Sequence, residues 1–222
     1  MIDAAIQRKN MVESQVRPSD VTDRRIVRAM LEIPREAFVP AELSSLAYRD
    51  DEFRFPAFPG AAARTMLAPR IFAKLVQLAG IEAADRVLDV GSGTGYSAAV
   101  LAKLAASVVA LECTAALANQ GQAALAATGL TNVEQVTGAL DTLPDGHGAF
   151  DDIVLEGSVP ALPETLFAAL KEGGRLVAVL ADGPTRQAIL WRKTGQTRAM
   201  LRAFDATATP LPGFARAPAF VF

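Results

Sequence analysis

The sequence has one cysteine (Cys113), one histidine (His147) and one tryptophan (Trp191) in 222 residues. A single cysteine excludes an intrachain disulfide, and one cysteine with one histidine cannot make a zinc site of the usual kind. No cluster of acids suggests an all-carboxylate magnesium site, so no bound metal is expected. No apolar run is long enough to span a bilayer; the longest patches, such as 98–104, are broken by Lys103 or by small residues. Residues 1–10 lack the basic start, apolar stretch and cleavage site of a secretory leader. Together these absences predict a cytoplasmic protein without membrane attachment. Neither sign of charge dominates, with 22 Lys and Arg against 24 Asp and Glu, which gives no general attraction to nucleic acid. Arg17, Arg24, Arg25 and Arg28 are interleaved with Asp20 and Asp23 and read as a solvated helix face. Internal repeats and low-complexity tracts are absent, and nothing in the sequence fixes an oligomeric state.

Apolar residues, at 51%, are plentiful enough for a sizeable core. The length fits one domain, or one domain with an appended lobe. Residues 1–60 read as a helical and irregular N-terminal extension packed on the core, and 61–222 as one compact ligand-binding unit. Thr22 can cap a helix over 22–31 that turns Ile26, Val27, Met30 and Leu31 to one side, with Pro34 beyond its end. A short helical turn is expected at 35–39, and a loop or edge structure at 50–60, which is rich in Pro and Phe. Pro69 suits the first turn of a helix over 69–79 that buries Ile71, Phe72, Leu75 and Leu78 and ends at Gly80. From there strands alternate with helices. The strands are expected at 86–90, 107–111, 133–137, 152–155 and 176–180. The helices are expected at 96–104, 114–127 and 163–170, the last stopped by Gly173-Gly174. This order implies an α/β fold with a mainly parallel sheet covered on both faces. Segments 187–193 and 197–204 flank Thr194-Gly195-Gln196 and read as a hairpin that finishes the sheet with an antiparallel pair. The apolar end, Pro218-Ala219-Phe220-Val221-Phe222, is expected to dock as an edge segment.

In open parallel sheets ligands bind beyond the carboxyl ends of the strands. The first strand of the alternating region runs into Asp89-Val90-Gly91-Ser92-Gly93-Thr94-Gly95. Gly91 and Gly93 remove side chains where a ligand must approach backbone, and the next helix offers free N–H groups at its start. A dinucleotide enzyme would space these glycines G-x-G-x-x-G; here the spacing is G-x-G-x-G, with Asp89 two residues ahead. A carboxylate there repels a pyrophosphate and suits the ammonium of an amino-acid moiety. Glu112 ends the second strand, 21 positions after Gly91, where an acid accepts both ribose hydroxyls. The third strand runs into Thr137-Gly138-Ala139-Leu140-Asp141, whose backbone N–H groups would lie beside the base of a nucleoside. Glu156, at the end of the fourth strand, emerges either near the amino-acid end of the ligand or as a capping or lid residue.

Four segments then carry a family resemblance. They are 89–96, Ile33-Pro34-Arg35-Glu36-Ala37-Phe38-Val39-Pro40, Phe150-Asp151-Asp152-Ile153, and Leu170-Lys171-Glu172-Gly173-Gly174-Arg175-Leu176. Through them the chain, from about Met11 to Leu211, resembles the protein-L-isoaspartate O-methyltransferase family. The second segment is the specific one; the last two are shared with many class I methyltransferases. The resemblance implies a Rossmann-like class I fold with a seven-stranded, mainly parallel sheet and a reversed C-terminal hairpin. It implies S-adenosylmethionine as cofactor and S-adenosylhomocysteine as product. The methyl group would pass to the α-carboxyl of an L-isoaspartyl residue in a protein or peptide, as a repair step. Asp89, Gly91, Ser92, Gly93, Glu112, Gly138, Ala139, Leu140 and Glu156 would then line the cofactor site.

Two departures stand out. Where the family has T-I-S-x-P beside the reacting carboxylate, this chain reads Thr65-Met66-Leu67-Ala68-Pro69. Leu67 replaces the functional serine and can neither donate nor accept a hydrogen bond, so Thr65, Met66 and Leu67 are expected to form an apolar mouth with little activity toward isoaspartyl carboxylates. Where the family carries G-D-G after the third strand, this chain reads Gly138-Ala139-Leu140, which leaves the base to backbone and apolar contacts. Two other readings therefore stay open: the same fold acting on a different acceptor, such as a small metabolite or modified peptide, or a cofactor-binding protein without catalysis. A carboxylate acceptor is already ionised, so no catalytic base or nucleophile is assigned. His147 lies in a turn-like stretch, and Cys113 and Trp191 read as packing residues.

Overall fold

The computed structural model describes residues 3–57, 61–143, 146–195 and 197–214. Helix α1 (Ala4–Met11) starts where the Asp3 carboxylate accepts the Ala5 N–H at 2.9 Å, and it places Arg8 and Lys9 in its last turn, where the helix dipole favours cations. A π-turn (Val12–Val16) and a 3₁₀ turn (Arg17–Ser19) follow. Helix α2 (Arg24–Glu32) is capped by Asp23, not by Thr22 as the sequence suggests. The Asp23 carboxylate accepts the Arg25 N–H at 2.8 Å, whereas the Thr22 N–H donates to Gln77 at 2.7 Å and ties two parts of the chain together. Three of the four arginines here pair locally at the surface, Arg17 with Glu13, Arg25 with Asp23 and Arg28 with Glu32.

After 3₁₀ turns at Arg35–Phe38 and Ala41–Leu46, β1 (Phe53–Arg54) pairs antiparallel with β2 (Thr65–Met66). Helix α3 (Pro69–Ala79) begins at its proline and ends at Gly80, which takes the left-handed conformation such a terminus requires, φ 65°. The alternating part follows as β3 (Arg86–Val90), α4 (Tyr96–Ala102), β4 (Ser107–Glu112), α5 (Ala115–Ala127), β5 (Val133–Thr137), β6 (Phe150–Val159), α6 (Glu164–Ala168) and β7 (Leu170–Leu180). The hairpin β8 (Gln187–Thr194) and β9 (Thr197–Asp205) closes it. The seven strands lie in the order β5-β4-β3-β6-β7-β8-β9, parallel up to β7 and antiparallel from β7 to β9. Chain order reverses between β3 and β6, the switch point at which open parallel sheets bind ligands, and the glycine turn follows β3 there.

One expected helix is shorter than read. Gly173-Gly174 does not stop a helix over 163–170; both glycines lie inside β7. Leu170 already pairs with Phe150, and a register shift between Phe150 and Asp152 takes up the extra residues. A Cβ on Gly174 would come within 2.8 Å of the Lys171 carbonyl, so this irregular stretch needs a glycine rather than ending at one. The apolar segment 218–222 lies outside the described residues. None of the described helices is long and apolar enough to cross a membrane.

The strand period of two sorts the sheet into two faces. Leu88, Val90, Val109, Leu111, Ile153 and Leu155 pack on one side with Leu166 and Phe167 of α6. Val87, Val108, Ala110 and Val154 pack on the other with α3, α4, α5 and the apolar residues of the N-terminal layer, from Met11 to Phe55. By the same alternation Asp89, Glu112 and Glu156 belong to this second face.

Candidate active site

The register of the strands brings the acids together. Asp89 pairs with Ala110 and Val90 with Leu111, so Glu112 ends β4 beside the turn that follows β3. The N–H groups of Gly91 and Ser92 both donate to the Leu111 carbonyl, at 2.8 and 3.1 Å, and fold the turn against β4. Gly91 and Gly93 hold φ 82° and 58°, the left-handed region that disfavours side chains. The Glu112 carboxylate accepts the Gly93 N–H at 2.8 Å and the Thr114 N–H at 3.0 Å.

Asp89, Glu112 and Glu156 are all buried. Burial pushes the Asp89 carboxyl from its ordinary 3.8 up to about 7, against the Ser97 hydroxyl, which donates to Asp89 Oδ2 at 2.6 Å; the neighbouring Glu112 charge adds to the rise. Glu156 is raised by burial and then by Asp89. Glu112 behaves in the opposite way. Burial alone would raise it, but the Arg64 guanidinium beside it, with the N–H bonds of Thr114 and Gly93, holds it below the ordinary glutamate value. Oδ1 of Asp89 and Oε1 of Glu156 are buried without a hydrogen-bond partner, as is the Thr65 hydroxyl. Such atoms are costly unless something else satisfies them.

Arg64 carries no sequence-level signal of spacing, yet it sits at the centre. Its Nε lies 3.1 and 3.2 Å from the two Glu112 oxygens, and its Nη2 donates to Glu112 Oε2 at 3.0 Å and to the Gly91 carbonyl at 2.6 Å. The pair is almost wholly excluded from solvent, with side chains 2% and 0% exposed. Phe55 covers Gly93, where a Cβ would meet its ring at 2.9 Å, and Leu211 covers Gly91 and Gly157, where added Cβ atoms would meet it at 2.8 and 2.7 Å. A lone arginine in Ala61-Ala62-Ala63-Arg64-Thr65-Met66-Leu67, with no acid within a helical turn, is the one hint that a distant partner was required.

The remaining expected residues are placed unevenly. Ser92 is buried in the turn, 3.4 Å from Gln135 Nε2. Gly138 donates its N–H to the Glu112 carbonyl at 3.1 Å, which anchors the loop after β5 at the site. Ala139 is exposed, and Leu140 is buried among the apolar residues of the opposite face. Cys113 lies half-buried with Sγ 3.3 Å from Glu112 Oε1, and burial together with that carboxylate raises its thiol above the ordinary value. His147 lies 3.2 Å from Glu134, at the amino end of β5 and so at the opposite end of the strands from the glycine turn. Trp191 packs in the core. Among the described residues no group of three or more His, Cys, Asp and Glu side chains could hold a metal ion.

The family model for protein-L-isoaspartate(D-aspartate) O-methyltransferases matches residues 6–207. The chain belongs to this family. A protein-L-isoaspartate O-methyltransferase of Herpetosiphon aurantiacus is 35% identical over 93% of this chain and 90% of its own. One of Koribacter versatilis is 36% identical over 94% of this chain and 92% of its own. Among solved structures, a protein-L-isoaspartate O-methyltransferase superposes with a TM-score of 0.80 at 26% identity, over 93% of this chain; this chain spans 66% of that one. A structure from Plasmodium falciparum, solved in complex with S-adenosyl-L-homocysteine, shares the fold with a TM-score of 0.76 at 22% identity, over 91% of this chain and 96% of that one. As a member of the protein-L-isoaspartate O-methyltransferase family the chain is an S-adenosylmethionine-dependent methyltransferase with a Rossmann-like class I fold.

Two family segments acquire a physical meaning here. Arg35, from the N-terminal match, is fully buried; its Nε and Nη2 donate to the carbonyls of Ala47 and Leu67 at 2.7 Å each, and its guanidinium lies 4.7 Å from the Tyr96 ring centroid. It therefore ties the N-terminal layer to the departing Thr65-Met66-Leu67 segment. The Leu67 side chain, expected at the mouth of the site, packs with the core cluster and is 0% exposed. Thr65, two residues away, carries the buried unpartnered hydroxyl of this segment.

Proposed function

We propose that this chain transfers the methyl group of S-adenosylmethionine to the carboxylate of an isoaspartyl residue in a damaged protein or peptide, in the cytoplasm. The observation that carries the reading is the cradle around Asp89: an unpartnered buried carboxylate oxygen beside two positive-φ glycines that leave no room for a Cβ, with Glu112 at the next strand end. This donor set fits the cofactor. Asp89 and Glu156 suit its ammonium end, Glu112 its ribose hydroxyls, and the backbone of Gly138 and Ala139 its base. When bound, the cofactor supplies an electrophilic methyl on a sulfonium. The chain need supply no nucleophile, because an isoaspartyl carboxylate is ionised near neutral pH. Its residues have to orient the acceptor, and holding two reactants in line contributes roughly 7–11 kcal/mol.

The Thr65 hydroxyl is the group of the acceptor segment free to donate to that carboxylate, in the role that the family's serine would hold at position 67. A groove of about 740 Å³, bordered by Ala68, Ile71, Lys74 and Arg186, begins at the residue that follows this segment. The test is methyl transfer from labelled S-adenosylmethionine to an isoaspartyl peptide, with the matching aspartyl peptide as control. Label in the first and none in the second is expected. Equal labelling of both, or of neither, overturns the acceptor assignment.

A further inference from the structure

We propose that Arg64 is a latch on the cofactor site: its guanidinium holds the Glu112 carboxylate that the ribose would need, so cofactor entry has to exchange one for the other. The inference rests on the cofactor reading above and goes beyond it, because it concerns what this chain does with its own site. Glu112 is saturated. Oε1 faces Arg64 Nε, the Thr114 N–H and the Cys113 thiol, and Oε2 faces Arg64 Nε, Arg64 Nη2 and the Gly93 N–H. A carboxylate offers about four lone-pair sites. Two ribose hydroxyls cannot be added while Arg64 stays. The donors from Gly93 and Thr114 belong to the fixed turn and strand end, so Arg64 is the partner that can leave.

Space gives the same answer independently. Nη2 of Arg64 lies 2.6 Å from where a Gly91 Cβ would stand, and the Phe55 ring lies 2.9 Å from where a Gly93 Cβ would stand. The two glycine faces that a ligand must approach are thus covered by the Arg64 cation and the Phe55 ring, with Leu211 also over Gly91 at 2.8 Å. The two residues are joined, because the Phe55 N–H donates to the Arg64 carbonyl at 3.0 Å at the end of the β1–β2 ribbon. Each strand of that ribbon is only two residues long. So short a pairing is marginal by itself; what holds the ribbon down is the packing of Phe53, Phe55 and Met66 on the core, and lifting it gives up that burial but breaks no hydrogen bond of the seven-stranded sheet. Movement of the ribbon withdraws Arg64 and Phe55 together, while Asp89, Glu112 and the glycine turn remain where the sheet holds them.

The latch reverses the sign expected of a ligand-binding residue. Apparent affinity equals intrinsic affinity multiplied by the fraction of molecules with the site open. Removing Arg64 should therefore tighten binding. The test uses S-adenosylhomocysteine by calorimetry and stopped-flow fluorescence, with the full-length protein and Arg64→Ala, each checked for folding by thermal melting. The expected result is about tenfold or greater tightening in the variant. The association rate of the unmodified protein should level off with ligand concentration, at the rate of opening, and that of the variant should rise in proportion. Should Arg64→Ala not fold, Arg64→Gln, which keeps a donor for the Gly91 carbonyl, serves the same test. Phe55→Ala, which leaves the ion pair in place, should give a smaller gain. A folded variant that binds equally or more weakly than the unmodified protein overturns the latch and leaves the cofactor reading intact. No binding by either protein overturns the cofactor reading and the latch with it.

Discussion

The two faces of the central sheet are built from the same strands and are chemically unlike. On one, Val90, Leu111 and Leu155, where β3 pairs with β4 and β6 for the last time, pack as an ordinary apolar core. On the other, at the same level, the strands carry Asp89, Glu112 and Glu156, all buried. Placing a charge in an apolar interior costs far more than an aliphatic side chain gains there, unless a partner is supplied. A protein can therefore carry three buried acids on one face only if that face is also where ligands and countercharges arrive. The N-terminal layer brings the countercharges as Arg35 and Arg64. The opposite face, with no such acids at its strand ends, has only packing to do.

The sharpest way to break this contrast is to fill the polar face. Gly93→Val should abolish cofactor binding, because its side chain would occupy the space the cofactor needs once Phe55 has withdrawn, and its φ of 58° disfavours a branched side chain. Calorimetry should find no heat of binding and melting should show a lower Tm; normal affinity would mean that the glycine turn has a structural role alone. Next in size is Glu112→Ala. It removes hydrogen bonds to a charged acceptor worth on the order of 1.5–3 kcal/mol each, and it leaves Arg64 buried without its partner. Affinity should fall at least about tenfold and the Tm should drop as well; the fall in affinity is opposite in sign to the effect of removing Arg64.

The acceptor side offers a third comparison. Thr65→Val keeps the shape and deletes the hydroxyl, so kcat/KM for an isoaspartyl peptide should fall about 10- to 150-fold, the worth of one hydrogen bond to a charged group. Leu67→Ser, which restores the family's residue in name, puts a hydroxyl into a site that is 0% exposed and removes buried aliphatic volume. It should cost about 2–5 kcal/mol of stability and bring no gain in turnover. A faster Leu67→Ser enzyme would show that this side chain reaches the acceptor after all.

The smallest effect is a pH dependence. The Asp89 carboxyl, at about 7 in the folded protein, is largely neutral at pH 6 and charged at pH 8. If it receives an ammonium, affinity for S-adenosylhomocysteine should rise with pH up to about 7, by at most about tenfold per unit, and then flatten. Stability moves the other way. Between about pH 4 and pH 7 the native state binds one more proton here than the unfolded chain, whose aspartates titrate near 4. The contribution of this carboxyl to stability is thus present at low pH and lost as pH rises through 7. Asp89→Asn should remove both trends, as read by calorimetry and by melting across that range.

How much of this was legible in the sequence follows the same division. Strand period and glycine spacing are local, so β3, β4, the turn at Gly91 and the final hairpin could be read directly, and Asp89 and Glu112 with them. The limit of α6 was misread because Gly173-Gly174 looks like a terminator. Only the register of β7 against β6 shows that the glycines serve a close backbone approach. Thr22 and Asp23 are both good caps; the Thr22 hydroxyl points to Gln77 Oε1, and the Asp23 carboxylate takes the Arg25 N–H. Leu67 was identified as a departure, but its direction depends on Arg35 holding its carbonyl from 32 residues away. Arg64 and Glu112 are 48 residues apart, and no periodicity links them.

The contact between Cys113 and Glu112 gives this arrangement a built-in reporter. The chain has one sulfhydryl, and that sulfur rests 3.3 Å from the carboxylate whose partner is at issue. A thiol reacts through its anion, which a bare neighbouring carboxylate opposes and a nearby guanidinium favours. Each change in who holds Glu112 is therefore written into the speed at which Cys113 takes up an alkylating dye, and no engineered label is needed to read it.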